Sequence, residues 1–276
     1  MGKYVASALI TDFDETITQQ DTINPMVQLA AKQYANPESM LSAWEDLSKW
    51  YLAQFRQPNS PSLFDAPSLE SFLDHYHCLV EEVSLQKVVQ QRFLAGIEPY
   101  QLRQLGQQTA KKPFAIQVLS RLKEAQVRIE ILSANWSTDL ILGAVGDLCD
   151  QVYSNNLVFD RTDPDAPAIT TGEIQLHITS ARHKQARLKQ SMSQRGLTTT
   201  TGAIAYIGDS ITDLLAICSA DIGLLIGDNQ LTHQAMDHFQ IPSIEIQLGD
   251  RYYPELHQGQ VICVQSWKEI ELFLLA

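Results

Sequence analysis

Four short stretches of this chain carry side chains that can do chemistry together. They are Asp12-Phe13-Asp14-Glu15-Thr16, then Ser133-Ala134-Asn135-Trp136-Ser137, then Lys184 among Arg182, Arg187 and Lys189, and finally Gly208-Asp209-Ser210-Ile211-Thr212-Asp213. Asp12 and Asp14 stand two apart, so a chain leaving a strand can present both at one sheet edge, where open α/β sheets bind ligands. Asp209 and Asp213, four apart after a glycine that permits a tight turn, suit a metal site where a helix begins. All these acids offer oxygen, and no His or Cys shares the acid- and hydroxyl-bearing stretches, so the metal they suit is Mg²⁺ rather than zinc. A Ser133 hydroxyl at a strand's carboxyl end suits a hydrogen bond to a phosphate oxygen. Each stretch also has a plainer reading. The Asp12/Asp14 pair can belong to a simple capped loop, with Thr18 or Asp21 starting the next helix, and Ser133 and Asp213 are residue types that cap helices. Asn135-Trp136-Ser137 matches a glycosylation sequon, discounted because nothing in the sequence indicates secretion.

Such residues act together only if the fold gathers them. Four apolar runs without polar alternation, Ala8 to Thr11, Arg128 to Leu132, Ala203 to Ile207 and Ile222 to Ile226, read as buried parallel strands, with a fifth at Val261 to Val264. Helical spacing lies between or after them, at Pro113 to Ala125, His183 to Gln194 and Asp213 to Ser219. Alternating strands and helices predict an α/β fold, a Rossmann-like parallel sheet with helices on both faces. All three acid- or hydroxyl-bearing stretches then fall where a predicted strand ends.

The stretch from about Gln19 to Lys111 differs. It has helix-like spacing (Met26, Leu29, Ala30; Leu41, Trp44, Leu47; Phe72, Tyr76, Leu79, Val80, Val83), no convincing strand, and a break at Pro58-Asn59-Ser60-Pro61. The expected organisation is a core of residues 1–18 and 112–276 with an inserted all-helical cap domain at 19–111. Asp160 to Ala168 reads as an exposed loop, and Thr171-Gly172-Glu173 as the start of another short strand.

With 276 residues, 45% of them hydrophobic and 19% charged, the chain can bury a sizeable core. A net charge of −12 and no block of Lys and Arg argue against nucleic acid or an anionic membrane as partner. No apolar run approaches the roughly 18 to 20 residues that span a bilayer. Met1 to Ala6 lacks the apolar stretch and cleavage site of a secretory signal, and Ala6 stands where a myristoylation start has Ser or Thr. Four scattered cysteines without a CxxC pair read as reduced thiols, which makes the expected location cytoplasmic.

In order and placement, DxDxT, the strand-ending Ser133, a downstream Lys and GDSxxD resemble the haloacid dehalogenase superfamily of phosphohydrolases. The resemblance covers the chain outside the insertion. A helical insertion after the first motif is similar to the caps of the branch that includes phosphoserine phosphatase. The resemblance implies a nucleophile at Asp12 that takes a phosphoryl group. Asp14 would be the general acid for the leaving alcohol and then the base for water. It further implies Mg²⁺ held by Asp12, the Asp14 backbone carbonyl and Asp209, with Asp213 positioning the metal or its waters. Ser133 would hold a phosphate oxygen and Lys184 would steady Asp12 and the phosphate, with Arg182, Arg187 and Lys189 as rivals for that last role. Thr16, Asn135, Trp136 and Ser210 are the expected substrate contacts. Three ionised Asp and a phosphate dianion repel one another by roughly 4 kcal/mol per pair of unit charges at about 4 Å and an effective dielectric near 20. That is why the chemistry requires a metal and a lysine. Asp14 also separates this chain from ion pumps, which by resemblance carry DKTGT, and from the dehalogenases, which lack a second Asp.

The expected substrate is a small phosphate ester. Asp-Phe-Asp-x-Thr-Ile-Thr and Thr171-Gly172-Glu173-Ile174 resemble phosphoserine phosphatase and related small-metabolite phosphatases. Leu132 to Ser137, Ile207 to Ser210 and Ala220-Asp221-Ile222-Gly223 are similar to the phosphatase portion of plant and fungal thiamin monophosphate phosphatases. Thiamin monophosphate or a similar ring-bearing phosphate is the first expectation, with Trp136 placed to stack on a planar ring. A phosphoserine enzyme would need a cap Arg and Glu, which Glu45, Arg56, Glu70 and Arg92 do not supply in an evident pattern. Candidate cap contacts are Trp44, Trp50, Tyr51, His75, Tyr76, His77 and Arg92. Competing readings are a non-catalytic member of the same fold and a phosphotransferase, while a dinucleotide enzyme fits poorly because no GxGxxG follows the first strand.

Overall fold

The structure, a computed structural model, describes residues 6–56, 63–163, 166–195, 202–246, 257 and 259–275. The N-terminal residues 1–5 and the expected break at 58–61 lie outside the described residues.

Seven strands form one parallel sheet. In chain order they are β1 (Ala6–Thr11), β2 (Arg128–Leu132), β3 (Gln151–Tyr153), β6 (Ala203–Gly208), β7 (Ile222–Ile226), β8 (Ser243–Glu245) and β9 (Val261–Val264). Their spatial order is β3-β2-β1-β6-β7-β9-β8. From β1 the chain builds outward first toward β2 and β3, then on the other side toward β6 and β7. The order therefore reverses between β1 and β6, the topological switch point where α/β sheets open a crevice beyond their carboxyl ends. Successive strand residues point to opposite faces. Leu9, Ile129, Ile131, Ala205 and Ile207 enter one buried apolar cluster, and Ile10, Leu132, Ile204 and Tyr206 enter the other. Both faces are thus covered, as runs without polar alternation require.

Helices α1 (Ile23–Ala31), α2 (Pro37–Arg56), α3 (Leu69–Tyr76), α4 (Glu82–Gln90) and α5 (Pro99–Gln108) separate β1 from α6 (Ala115–Glu124). A bridge between Thr18 and Lys111 brings the ends of this segment together, with Gln19 N–H donating to Ala110 O and Lys112 N–H to Ile17 O. Its apolar residues continue the sheet's own clusters. Met26, Leu47, Val88 and Leu102 join one face, while Phe72 and Tyr76 join the other. Helix α5 lies directly against α7 (Thr138–Val145). A Cβ at Gly106 would overlap the Leu140 carbonyl, and one at Gly143 would overlap the Arg103 carbonyl, so two glycines set that approach.

The remaining helices are α8 (Ala181–Arg195), α9 (Leu214–Ile217), α10 (Gln230–His238) and α11 (Trp267–Leu275). An antiparallel ribbon, β4 (Asn156–Asp160) with β5 (Ile169–Gln175), stands outside the main sheet. Its strand runs longer than Thr171-Gly172-Glu173 suggested, because Thr170 is bonded to the helical segment through Gly96 N–H and Ile97 O. Among the described residues no helix is long and apolar enough to cross a membrane.

Candidate active site

The ladder between β1 and β6 runs one residue past β1, where Asp12 N–H donates to Ile207 O at 2.8 Å. Asp12 therefore leaves the sheet in fixed register beside the end of β6. The chain then coils on itself. Ile17 and Thr18 N–H both return to Phe13 O, Glu15 takes a left-handed φ of 54°, and its N–H donates to Thr18 Oγ1. Trp267 clamps the coil from α11 by donating Nε1–H to Thr16 O. This turn brings the Thr16 hydroxyl to Asp209 Oδ1, 3.1 Å away. Thr16, expected to touch substrate, is instead fully buried behind the acids and orients one of them.

After β6, Asp213 folds back under Asp209. Gly208 is required here for space, since a Cβ on it would overlap the Asp213 side chain. The tight turn expected of that glycine needs no positive φ. Asp213 Oδ2 accepts from the Ser210 hydroxyl (3.0 Å) and amide (3.4 Å), so it caps its own turn. Its Oδ1 accepts from Lys184 Nζ at 2.8 Å and from the Tyr206 hydroxyl at 2.6 Å. Asp213 thus caps its own turn and also pairs with Lys184. Ser210, an expected substrate contact, is engaged with Asp213 and Thr212.

Lys184 reaches this point from α8 and also lies 3.1 Å from Asp12 Oδ1. Its rivals are elsewhere. Arg182 makes two 2.6 Å bonds to Asp74, and Arg187 lies on the Tyr153 ring and near Glu130. Asp12, Asp209 and Asp213 place carboxylate oxygens within 4.8 Å of one another. Burial lifts Asp12 to about 7, with Asp213 and Asp14 adding to the effect and Lys184 opposing it. Burial, then Asp213 and Asp12, push Asp209 well above the usual carboxylate range. Burial alone would lower the Lys184 ammonium, but the two aspartates hold it above the ordinary lysine range. Were all three acids ionised, the single lysine would leave two negative charges unbalanced, a deficit of counter-charge. Asp12 Oδ1 is buried and, despite the ion pair, makes no hydrogen bond. An all-oxygen donor set with that deficit fits a hard divalent cation such as Mg²⁺.

The Asp14 carboxylate lies outside the acid cluster. Oδ1 accepts from Thr22 N–H (2.9 Å) and Thr22 Oγ1–H (2.7 Å), and Oδ2 accepts from Asn135 Nδ2 (2.7 Å). Burial lifts this acid to about 7, aided by Asp21 and opposed by its bonds from Asn135 and Thr22. Asn135, expected to meet substrate, lines a cavity together with Asp12 and Asp14, and it holds Asp14 and Thr22 through Nδ2 and receives Ser137 N–H on Oδ1. Helix α7 is capped by Ser137, which frees Ser133 from the capping role its type suggested. Ser133 accepts from Asn135 N–H and lines the cavity.

That cavity measures about 510 Å³ and is lined by Asp12, Asp14, Ser133, Trp136 and Lys184 from the sheet side. Trp44, Leu47, Tyr51 and Glu81 line it from the helical segment. Of the aromatic and basic residues expected to meet substrate from the helical segment, Trp44 and Tyr51 line it. Trp50 lies under Lys87, and Arg92 donates to Thr171 O. Sequence reasoning missed Tyr206 and Thr22, both hidden as ordinary strand or loop residues.

The family model described as haloacid dehalogenase-like hydrolase matches residues 9–217. The chain is 23% identical to a bifunctional TH2 protein, mitochondrial, of Arabidopsis thaliana, over 97% of this chain and 49% of that one, so it spans about half the length of this relative. It is also 23% identical to a CTO1 family protein of Schizosaccharomyces pombe, over 87% of this chain and 88% of that one. Among solved structures, a phospho-aspartyl intermediate analogue of phosphoserine phosphatase superposes with a TM-score of 0.57 at 14% identity, over 96% of this chain and 97% of the other. Cytosolic 5'-nucleotidase IIIB bound to cytidine gives 0.56 at 13% identity, over 97% and 83%. At these identities the likeness shows the fold.

Proposed function

The chain belongs to the haloacid dehalogenase-like hydrolases, and we propose that it is a Mg²⁺-dependent phosphatase of small phosphate esters that works through an aspartyl-phosphate on Asp12. The observation that carries this reading is the convergence of Asp12, Asp209 and Asp213 at the switch point, with Lys184 paired to Asp12 and Asp213. An Asp12 oxygen attacks phosphorus, the bond to the ester oxygen breaks, and Asp14 gives the departing alkoxide its proton. Asp14 then takes a proton from water, whose oxygen attacks the same phosphorus and releases Asp12. Lys184 and the Ser133 hydroxyl hold the phosphoryl oxygens, while Asn135 and Thr22 fix the direction of Asp14. Mg²⁺ would sit on Asp12, Asp209, Asp213 and the Asp14 carbonyl, and would balance charge on the phosphate. The segment 19–111 acts as the cap that closes the leaving-group end.

Within that class, thiamin monophosphate or a similar ring-bearing ester is the first candidate. Trp44, Tyr51 and Trp136 along the cavity support it, since flat rings bind well against aromatic walls. Phosphoserine is less well supported. Among the described residues no arginine lines the cavity, and a carboxylate-bearing substrate calls for one.

The test is phosphate release from a panel holding thiamin monophosphate, phosphoserine, pyridoxal phosphate, nucleotides and sugar phosphates, with Mg²⁺ or EDTA. Turnover should require Mg²⁺ and fall by about 10⁴-fold or more in Asp12→Asn. A folded Asp12→Asn protein that kept its rate would remove Asp12 as nucleophile, and a folded wild type inert on every ester would favour the non-catalytic reading.

A further inference from the structure

Whatever the phosphate is esterified to must occupy the cavity beyond Asp12, so on the phosphatase reading the far wall of that cavity decides the substrate class. Lys184 is the one cation among the described residues lining this cavity, and it is engaged by Asp12 and Asp213. Every other charged lining residue is an acid. Asp12 and Asp14 belong to the reaction end, which leaves Glu15, Asp21 and Glu81 around the leaving group.

Glu81 is the most firmly built of these. Tyr51 donates to its Oε1 at 2.7 Å and Tyr76 to the same oxygen at 2.9 Å, and the two phenol oxygens stand 3.3 Å apart. Burial, reinforced by Glu81, pushes both phenols well above the ordinary tyrosine range, so both remain donors. The pairing depends on a π-helical turn, His77–Glu81, between α3 and α4, with Glu82 N–H returning to His77 O. At about 100° per residue an α-helix would set positions 76 and 81 about 140° apart. The wider turn brings them to one side, an arrangement that recurs at functional sites. The same cavity is lined by Trp44, Tyr51 and Trp136, aromatic rings of the kind whose faces attract cations.

We propose that Glu81, fixed by Tyr51 and Tyr76, is a specificity-determining residue that selects phosphate esters whose leaving alcohol carries a positive charge. A cationic alcohol meets a carboxylate and aromatic faces. A neutral alcohol gains only the aromatic faces, and an alcohol bearing a carboxylate meets acids with no cation free to pair it. One charge-assisted contact in a partly buried pocket is ample for a tenfold preference.

The experiment compares phosphocholine with 3,3-dimethylbutyl phosphate, which keeps the shape but replaces the quaternary nitrogen by carbon. The readout is the ratio of the two kcat/KM values in wild type, Glu81→Gln and Tyr76→Phe. We expect wild type to favour the cationic ester by about tenfold or more, equivalent to about 1.4 kcal/mol. The ratio should fall to about one in Glu81→Gln and to an intermediate value in Tyr76→Phe. A role limited to folding would lower both rates and keep the ratio, so a retained ratio, or no preference in wild type, overturns the proposal. Binding of the product alcohols, choline and 3,3-dimethylbutan-1-ol, read by saturation-transfer NMR, separates the two claims. If neither these two esters nor any of the panel above is hydrolysed, the phosphatase reading falls. Choline contacts that are strong in wild type and lost in Glu81→Gln still uphold this inference, and equal signals from both alcohols sink it.

Discussion

At the sheet end of the cavity, the charged groups hang from strand termini whose register is fixed by the ladder. Asp12 follows β1, Asp209 and Asp213 follow β6, and Lys184 projects from the buried face of α8. At the helical end, Trp44 and Tyr51 come from one helix, α2, and Glu81 from a π turn. In the first arrangement three of the acids are held by neighbours: Thr16 on Asp209, Ser210 and Tyr206 on Asp213, Asn135 on Asp14. The second can be rebuilt by a single turn of helix without touching the sheet. One chain can therefore keep its reaction while the selection of substrate drifts.

The sharpest way to break this comparison is at the metal end. Asp209→Asn should lower turnover by about 10³-fold or more, since the acid takes no part in bond-making and acts through charge placement alone. Its physical readout is melting temperature. Mg²⁺ at about 100 times its dissociation constant adds about 2.7 kcal/mol to the folded state, a rise of roughly 5 to 10 °C for a domain of this size. That rise should appear in wild type and vanish in Asp209→Asn. An unchanged Mg²⁺ response would show that the metal, if any, binds elsewhere.

A smaller effect is expected from Asn135→Ala, which touches neither phosphate nor metal in this reading. Losing the 2.7 Å bond lets Asp14 swing, and kcat should fall by about 10²-fold, within the range general acid–base groups contribute. KM for the same ester should stay within about threefold, because binding energy is not what Asn135 supplies. A large rise in KM with kcat preserved would return Asn135 to the substrate-contact role read from the sequence.

The helical end is tested through its anchor. Gly106→Ala places a methyl group against the Leu140 carbonyl and should destabilise the fold by about 1–3 kcal/mol, read as a lower urea midpoint. If α5 moved freely with a hinged cap, the added methyl would be absorbed and the midpoint would stay. An unchanged midpoint would favour the mobile cap with hinges near Thr18 and Lys112.

Much of the sheet end is legible in the sequence, because buried parallel strands announce themselves as apolar runs. Arg128–Leu132, Ile222–Ile226 and Val261–Val264 have the ends read from the sequence, whereas β3 and β8, three residues each at the sheet margins, carry too little pattern to be seen. The positions of the acids followed from the strands. Their partners did not. Tyr206 reads as one more core residue of β6, and its bond to Asp213 exists only because the chain turns back over Gly208. Asn135 meets Asp14 and Thr22 across more than a hundred residues of sequence. Glu81 depends on a π turn that no propensity marks. Lys184 was distinguishable after all. It shares a buried helical stripe with Ala181 and Leu188 at spacings of three and four, whereas Arg182 falls on the exposed side.

That stripe gives the smallest effect and a clean discriminator between the two ends. Arg182→Ala removes an exposed ion pair joining α8 to Asp74 of α3, a link between core and helical segment. Asp74 is held below the usual carboxylate range by this guanidinium, yet both partners face solvent, where water and salt screen the pair. The melting temperature should therefore move by no more than about 2 °C, and less still in high salt. Turnover should stay within about twofold of wild type, because α5 against α7, not this pair, holds the segment in place. Lys184→Met must behave otherwise, since it strips the counter-charge from Asp12 and Asp213 in a buried site, where an unpaired carboxylate costs several kcal/mol. If Arg182→Ala proved as damaging to kcat as Lys184→Met, the cation assignment would be wrong and the basic residue that steadies the phosphate would lie on the solvent side of α8.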